Sequence, residues 1–297
     1  MCCFSAKTEV RGTRIFARLT APDTQALVYQ MQYAAAQPTA MILPLPVATP
    51  ATDATVAWKS LKEYPSFFED LAAGFAEAAP QSPSGSKSVR GAAPLPVHEV
   101  GDFVASFVPS VNDFDRIDPR FVIAKDVWAA IPEYRDYGFA VFQLKQLSGS
   151  PHPIAFEFRT RLRDAVFLPT VHIHDGTVHR EDAFDHALYV QDTRLDARQA
   201  NADGFVGSSD QASAFTRQAA ALGLVDGSLH VHRKLLSGIM PNKDTFVDVK
   251  PGASVGCNRC DAGAAGAQGG AGSVSLALAT LGWIIHRRNE RQRGSMQ

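Results

Sequence analysis

The sequence predicts an α+β, β-rich fold of antiparallel, sandwich-like sheets with a few short helices and a C-terminal apolar helix. Runs of alternating apolar and polar residues recur between turn residues, and helical patterns are few and short. The composition of the 297 residues, 45% hydrophobic and 20% charged, is typical of a folded globular chain. We expect one β-rich domain over residues 1–250, with a flexible loop near 79–97, and then a Gly/Ala-rich spacer, an apolar segment and a basic tail over 251–297.

The first elements that the sequence predicts are a β-hairpin, a short strand and a helix. Residues 12–20 and 25–33 flank the turn Ala-Pro-Asp-Thr, and the second run alternates apolar side chains on one face. Prolines in the apolar run 41–47 place it at a sheet edge or a strand end. Ser66 and Glu69 form a capping-box pattern, which predicts that a helix begins there and ends at about residue 77.

Strands predominate again in the rest of the chain. Asp118 before Pro119 indicates a helix start, and Ser209 is a candidate N-cap for a helix over 210–222 that ends at Gly223. The predicted strands are residues 138–147, 153–159, 165–174 and 178–191, followed by a last hairpin from 229 to 249.

The charge balance argues against one class of partner. The chain has 29 Lys and Arg against 30 Asp and Glu, which gives a net charge of −1. Binding to a phosphate backbone needs a basic surface, so we expect no nucleic-acid partner. The sequence also has no Walker loop, Gly-x-Ser-x-Gly elbow or His-Glu-x-x-His motif that would indicate a familiar enzyme class.

The C-terminal segment predicts contact with a membrane. Residues 262–285 are uncharged and long enough to cross a bilayer as a helix, and Arg287, Arg288, Arg291 and Arg293 follow. We expect a transmembrane helix here and a membrane-associated protein of the cell envelope. No secretory signal is recognisable, so a cytoplasmic location is an alternative, as is a buried helix of about three turns.

Several short motifs over residues 1–192 are those of a known family. They are Cys2-Cys3-Phe4, residues 14–17 (Arg-Ile-Phe-Ala), 41–46 (Met-Ile-Leu-Pro-Leu-Pro), 137–145, 153–158 and 166–169. Through them the chain resembles an uncharacterised bacterial family, domain of unknown function number twenty-three-thirty. The resemblance implies a β-rich, exported and membrane-anchored protein with a Cys near the mature N-terminus, and it implies no known reaction.

Three histidines are candidate metal ligands. The dipeptide Asp175-Gly176 predicts a two-residue hairpin turn, which would pair His172 with His179 and set both on the same face as His174. Three imidazoles with water in a fourth position suit a divalent ion such as zinc. The same alternation is also typical of an exposed sheet face that binds nothing.

Cys2 is a candidate nucleophile. If Met1 is removed, Cys2 carries a thiol and a free α-amine that can act as its base, as in N-terminal-nucleophile hydrolases. A structural or oxidised thiol is the alternative, because Cys2 and Cys3 could form two disulfides or a zinc site with Cys257 and Cys260.

These features favour a membrane-attached or extracytoplasmic binding or structural module whose protein or ligand partner is unknown. Two enzymes are the alternatives. One is a metal-dependent hydrolase that uses His172, His174 and His179, and the other is an N-terminal-nucleophile hydrolase that uses Cys2.

Overall fold

Strands dominate the residues that the computed structural model describes, which are 2–75, 98–100, 103–198 and 204–250. In chain order the strands are β1 Cys2–Phe4, β2 Thr8–Ala21, β3 Thr24–Ala35, β4 Ala40–Leu45, β5 Val56–Ser60, β6 His98–Val100, β7 Phe103–Val108, β8 Gly138–Leu144, β9 Ser148–Gly149, β10 Ile154–Arg159, β11 Ala165–Leu168, β12 His172–Ile173, β13 Glu181–Gln191, β14 Val206–Gln211, β15 His230–Pro241 and β16 Thr245–Asp248. The helices are α1 Phe67–Ala73, α2 Lys125–Ala129 and α3 Thr193–Arg198, with 3-10 turns at Asp53–Thr55, Val111–Arg116, Pro119–Phe121, Pro132–Tyr134 and Ala212–Ala214.

The strands form two large sheets and one small one. The first sheet has the order β12-β1-β4-β8-β7-β6, and the second has the order β14-β15-β13-β2-β3-β10-β5, with β9 paired to β3. Strands β11 and β16 form a separate antiparallel pair. Parallel pairing within the described strands occurs between β1 and β12 and between β2 and β13. The strand-rich, mainly antiparallel fold class with few short helices is therefore confirmed.

The largest hydrophobic core lies between the two large sheets. It combines apolar side chains of the first sheet with those of the second, including Phe4, Met41 and Phe142 from the one and Leu27, Tyr29 and Phe156 from the other. Further clusters cover the outer face of each sheet, one around Trp128 of α2 and one around Phe67 and Phe68 of α1. Burial on both faces explains why β4, sequence Ala-Met-Ile-Leu-Pro-Leu, is buried throughout.

The predicted N-terminal hairpin is confirmed. Strands β2 and β3 pair antiparallel and turn at Pro22-Asp23. In β3 the alternation predicted from the sequence separates two cores, because Leu27 faces the core between the sheets and Val28 packs on the side of α1. The helix predicted from Ser66 is α1, although it ends earlier, at Ala73.

Three other local predictions are wrong. No hairpin forms at Asp175-Gly176, because β12 pairs with β1 and β13 pairs with β2 and β15. The predicted hairpin over 229–249 is absent as well, since β16 pairs with β11. The predicted helix over 210–222 is replaced by the end of β14, a 3-10 turn and a loop, because the backbone N–H groups of Ala212 and Ser213 donate to Leu229 and Gly227.

The prediction of a transmembrane helix needs correction. Within the described residues, no helix has both the length and the apolar character that a bilayer crossing requires. The segment predicted to cross, residues 262–285, lies outside the described residues, as do the loop near 79–97 and the predicted C-terminal apolar helix. The fold described above belongs to the compact unit Met1–Ala253.

Candidate binding cleft

A cavity of about 1000 Å³ opens where the pairing of β13 with β15 ends. Its walls come from β15, β16, the loop before β13 and the 3-10 turn Pro132–Tyr134. The apolar part of the lining includes Phe184, Leu236, Met240 and Phe246. A concave, largely apolar surface with a few polar groups is the usual form of a ligand site, so this cleft is the candidate functional site.

Asp244 fixes one wall of the cleft. Its Oδ1 accepts hydrogen bonds from the backbone N–H groups of Thr170 at 2.9 Å and Val171 at 3.1 Å, and its Oδ2 accepts one from the Tyr134 hydroxyl at 2.6 Å. Burial raises the pKa of the Tyr134 hydroxyl well above its usual range, and desolvation raises the pKa of the Asp244 carboxyl. The hydroxyl therefore keeps its proton at neutral pH, and the three hydrogen bonds hold the segments that form this wall together.

Two cationic side chains lie at the mouth of the cleft. Arg180 and Lys243 both line it and are exposed. Neither forms an ion pair with any carboxylate in the part of the chain that the structure describes. The backbone N–H of Asn242 donates to the carbonyl of Arg180 at 2.9 Å, which continues the pairing of β13 with β15 by one residue. The two cations therefore lie at the same end of this strand pair.

The structure brings together two of the three predicted metal ligands. The rings of His172 and His174 are stacked with centroids 4.8 Å apart. His179 is exposed instead, and its Nε2 lies 3.1 Å from Oδ2 of Asp175. Among the described residues, no group of three or more His, Cys, Asp or Glu side chains has an arrangement suited to a metal ion. The zinc site at His172, His174 and His179 stays a prediction.

His186 of β13 completes a buried cluster with His172. The Nε2 atoms of the two rings are 2.9 Å apart and share a hydrogen bond, and Phe184 stacks on His172 with centroids 4.4 Å apart. Burial lowers the pKa of His172 to about 3 and lowers the pKa of His186 as well. Because β12 belongs to the first sheet and β13 to the second, this hydrogen bond joins the two sheets.

The structure leaves the predicted nucleophile untested. Cys2 belongs to β1, in register with His172 of β12, and its side chain lies outside the description. Cys3 is buried, and within the described residues it forms no disulfide. Cys257 and Cys260 lie outside the described residues, so the disulfides or zinc site of the four cysteines stay a prediction, as does the hydrolase role of Cys2.

One edge of the second sheet is open beside the cleft. Strand β14 pairs with β15 only at three positions of β15, between His230 and Arg233. From residue 234 to Pro241, β15 pairs with β13 on one side and with no other described strand. Side chains on this stretch are unusually exposed for apolar residues, 57% for Leu235 and 70% for Ile239. Among the described residues, the stretch 235–241 is therefore a partly apolar strand edge with a strand neighbour on one side.

The sequence analysis did not identify these residues as a site. The cleft is assembled from segments that are far apart in the chain, and the edge exists only because β14 is short. A signal was available in residues 235–241, where apolar side chains occur at both odd and even positions. A strand with one face in a core and the other in water would alternate instead.

Comparison with known proteins gives matches among solved structures alone. No family model and no curated protein matches the chain. The crystal structure of baculovirus P35 matches with a TM-score of 0.45 and 14% identity, over 83% of this chain and 99% of that one. The caspase-8/P35 complex matches with a TM-score of 0.39 and 12% identity, over 80% and 96%. A mutated baculovirus P35 after caspase cleavage matches with a TM-score of 0.42 and 14% identity, over 80% and 99%.

These comparisons and the fold correct one prediction. The sequence analysis expected a bacterial protein held in a membrane by a transmembrane helix. Neither a matching family model nor a matching curated protein was found, and nothing found indicates a bacterial origin. The described residues hold no helix suited to spanning a bilayer. The description of the chain as a bacterial transmembrane protein is therefore wrong for the described residues, and the location in the cell envelope stays a prediction. What stands is a strand-rich body with a cleft and an open strand edge.

Proposed function

We propose that this protein is a binding module that takes up an extended segment of a partner protein along the open edge of β15. The observation that carries the proposal is the run from Leu235 to Pro241, which has a strand neighbour on one side only among the described residues. Unpaired edge strands are templates for a further strand, and addition of a peptide strand is a recurrent mode of recognition.

The hydrogen-bonding groups on this edge are regularly placed. Successive residues of a strand direct their N–H groups alternately to its two sides. The N–H of Val231 donates to the Ser208 side chain on β14, and the register of β15 with β13 continues without a shift. The N–H groups of Leu235 and Ser237 therefore face the open side, and Gly238, whose φ is 92°, departs from the extended backbone after them. Pro241 has no N–H and ends the strand.

Side chains on both faces of β15 suit a docked strand. Leu235 and Ile239 are exposed on one face, and Leu236 and Met240 line the cleft on the other. A Cβ placed at Gly238 would meet no atom within 4 Å, so the surface between Leu236 and Met240 is open. A peptide strand on this edge would direct alternate side chains into the cleft and onto the exposed apolar residues.

A randomised decapeptide display library tests the proposal. We expect wild-type protein to select peptides that slow amide hydrogen exchange at residues 234–241 while exchange in β10 is unchanged. Ser237→Pro removes one of the two outward N–H groups and should weaken the selected peptides at least tenfold, whereas Ser237→Ala keeps the N–H and should bind as wild type. Circular dichroism checks that both variants are folded.

Two outcomes would overturn the proposal. In one, selected peptides bind wild type and Ser237→Pro equally and leave exchange at residues 234–241 unchanged. In the other, light scattering shows that the protein forms a dimer in solution that Ser237→Pro dissociates, so that a second copy of the chain occupies the edge.

The two hydrolases predicted from the sequence remain alternatives with separate tests. A metal hydrolase at His172, His174 and His179 requires about one divalent ion per chain, which metal analysis of wild type and of a His172→Ala, His174→Ala variant would detect. A Cys2 nucleophile requires a free Cys2 amine, and intact mass shows whether Met1 is retained.

A further inference from the structure

We infer that the bound segment carries an acidic side chain, which enters the mouth of the cleft at the Pro241 end of the open edge. This inference rests on the proposed function and adds the chemistry of the partner. Its basis is the charge of the residues where the edge and the cleft meet.

Hydrogen bonds of Asn242 fix the backbone next to the two cations at this end. Asn242 stands between Pro241 and Lys243, and its side-chain amide donates to the carbonyls of His172 at 2.9 Å and His179 at 3.0 Å. Its Oδ1 accepts the His172 N–H at 2.6 Å, and its own N–H donates to the carbonyl of Arg180. The backbone that carries Lys243 and Arg180 is therefore tied at four points.

The carboxylates of the cleft do not neutralise these cations. Both oxygens of Asp244 already accept hydrogen bonds from Thr170, Val171 and Tyr134, and Asp244 forms no ion pair with a cation in the described residues. Glu133 is the other acidic side chain that lines the cleft, and neither Arg180 nor Lys243 forms an ion pair with it. The mouth therefore presents two exposed cations that have no ion pair among the described residues, and a carboxylate of the partner complements them.

The apolar part of the cleft determines which side chain suits the bound segment next to its acidic residue. Phe184, Leu236 and Met240 line it below the edge, so a large apolar side chain two positions from the acidic one would reach them from the same face of the docked strand. A segment with an acidic and an apolar residue at i and i+2 therefore fits better than one with either feature alone.

Matched peptides test this chemistry. From the decapeptides that wild type selects, each Asp or Glu is replaced by Asn or Gln, and affinities are measured by fluorescence polarisation. We expect the amide versions to bind about fivefold more weakly at low salt, with the difference shrinking at high salt. An Arg180→Gln, Lys243→Gln variant should bind both versions with the same, weaker affinity, and Arg163→Gln, at an exposed arginine outside the cleft, should keep the wild-type preference.

The outcomes separate this inference from the proposed function. Equal binding of acidic and amide peptides, with binding still abolished by Ser237→Pro, overturns the inference and leaves the strand-addition function intact. An acid preference that Arg180→Gln, Lys243→Gln leaves unchanged also overturns it. If no peptide binds wild type, the proposed function fails and this inference fails with it.

Discussion

Acid pH should destabilise this protein through the two histidines that join its sheets. His172 and His186 are 2% and 3% exposed, and neither Nδ1 atom has a hydrogen-bond partner in the described residues. A proton added to either ring would place a charge between the sheets, where water cannot solvate it. In the unfolded chain both rings titrate near the ordinary histidine pKa of about 6.5.

The size of the effect follows from the pKa of His172, which burial lowers to about 3 in the native state. Above pH 6.5 both states are neutral at this ring and the full stability is present. Below pH 6.5 the unfolded state gains a proton that native His172 does not take up until about pH 3. The free energy of unfolding therefore falls by about 1.4 kcal/mol per pH unit, or about 3 kcal/mol by pH 4, and His186 adds a contribution in the same direction.

Urea denaturation between pH 8 and pH 4 at constant ionic strength measures this slope. A His172→Phe, His186→Phe variant removes both titrating groups, so we expect its stability to fall less steeply by up to about 2.7 kcal/mol per pH unit. His98→Phe, at an exposed histidine, should keep the wild-type slope. A double variant that loses stability as steeply as wild type would refute the reasoning and place the acid sensitivity elsewhere.

Three further predictions concern packing. In Gly138→Ala the new methyl group would lie 2.6 Å from Cζ of Phe107, so we expect the free energy of unfolding in urea to fall by about 1–3 kcal/mol. Adding Phe107→Leu to this variant should restore part of the loss. Gln25→Leu would leave the N–H and carbonyl of Phe167 without the partners that now bind them at 3.0 and 2.7 Å, which should cost about 2–3 kcal/mol; a stability equal to wild type would contradict this. Ile239→Lys should change stability by no more than about 0.5 kcal/mol, because the side chain is 70% exposed, and a larger loss would show that something covers it.

The sequence predicts strands well and their partners poorly, for a physical reason. Alternation is a local property, so β2, β3 and the turn between them can be read from about twenty residues. The turn signal at Asp175-Gly176 is equally local, but β12 pairs instead with β1 at the other end of the chain. There the Asp175 side chain accepts the N–H of Thr177, a contact that needs no hairpin.

Local sequence patterns predict less of the candidate site than of the strands, because the site depends on contacts between distant segments. The histidine cluster behind Phe184, beside the cleft, combines predicted residues with His186, whose contact with His172 depends on how the two sheets pack. The open edge of the site depends on where β14 begins, because Val206 pairs with Arg233 and no described residue before Val206 extends the pairing, and no motif marks the length of a neighbouring strand. Arg180 and Lys243 look like ordinary surface charges in the sequence, and only the strand pairing brings them to one end.

The parallel pairing of β2 with β13 has a consequence for synthesis on the ribosome. The β2 residues Arg14–Arg18 emerge early, yet their partners, Ala187–Gln191, are made only after more than half of the chain. During translation this edge of the nascent β2–β3 hairpin has no native neighbour, which is the situation in which newly made chains join one another. Arg14 and Arg18 stand at both ends of this stretch, and their charges oppose pairing with the same edge of another nascent chain.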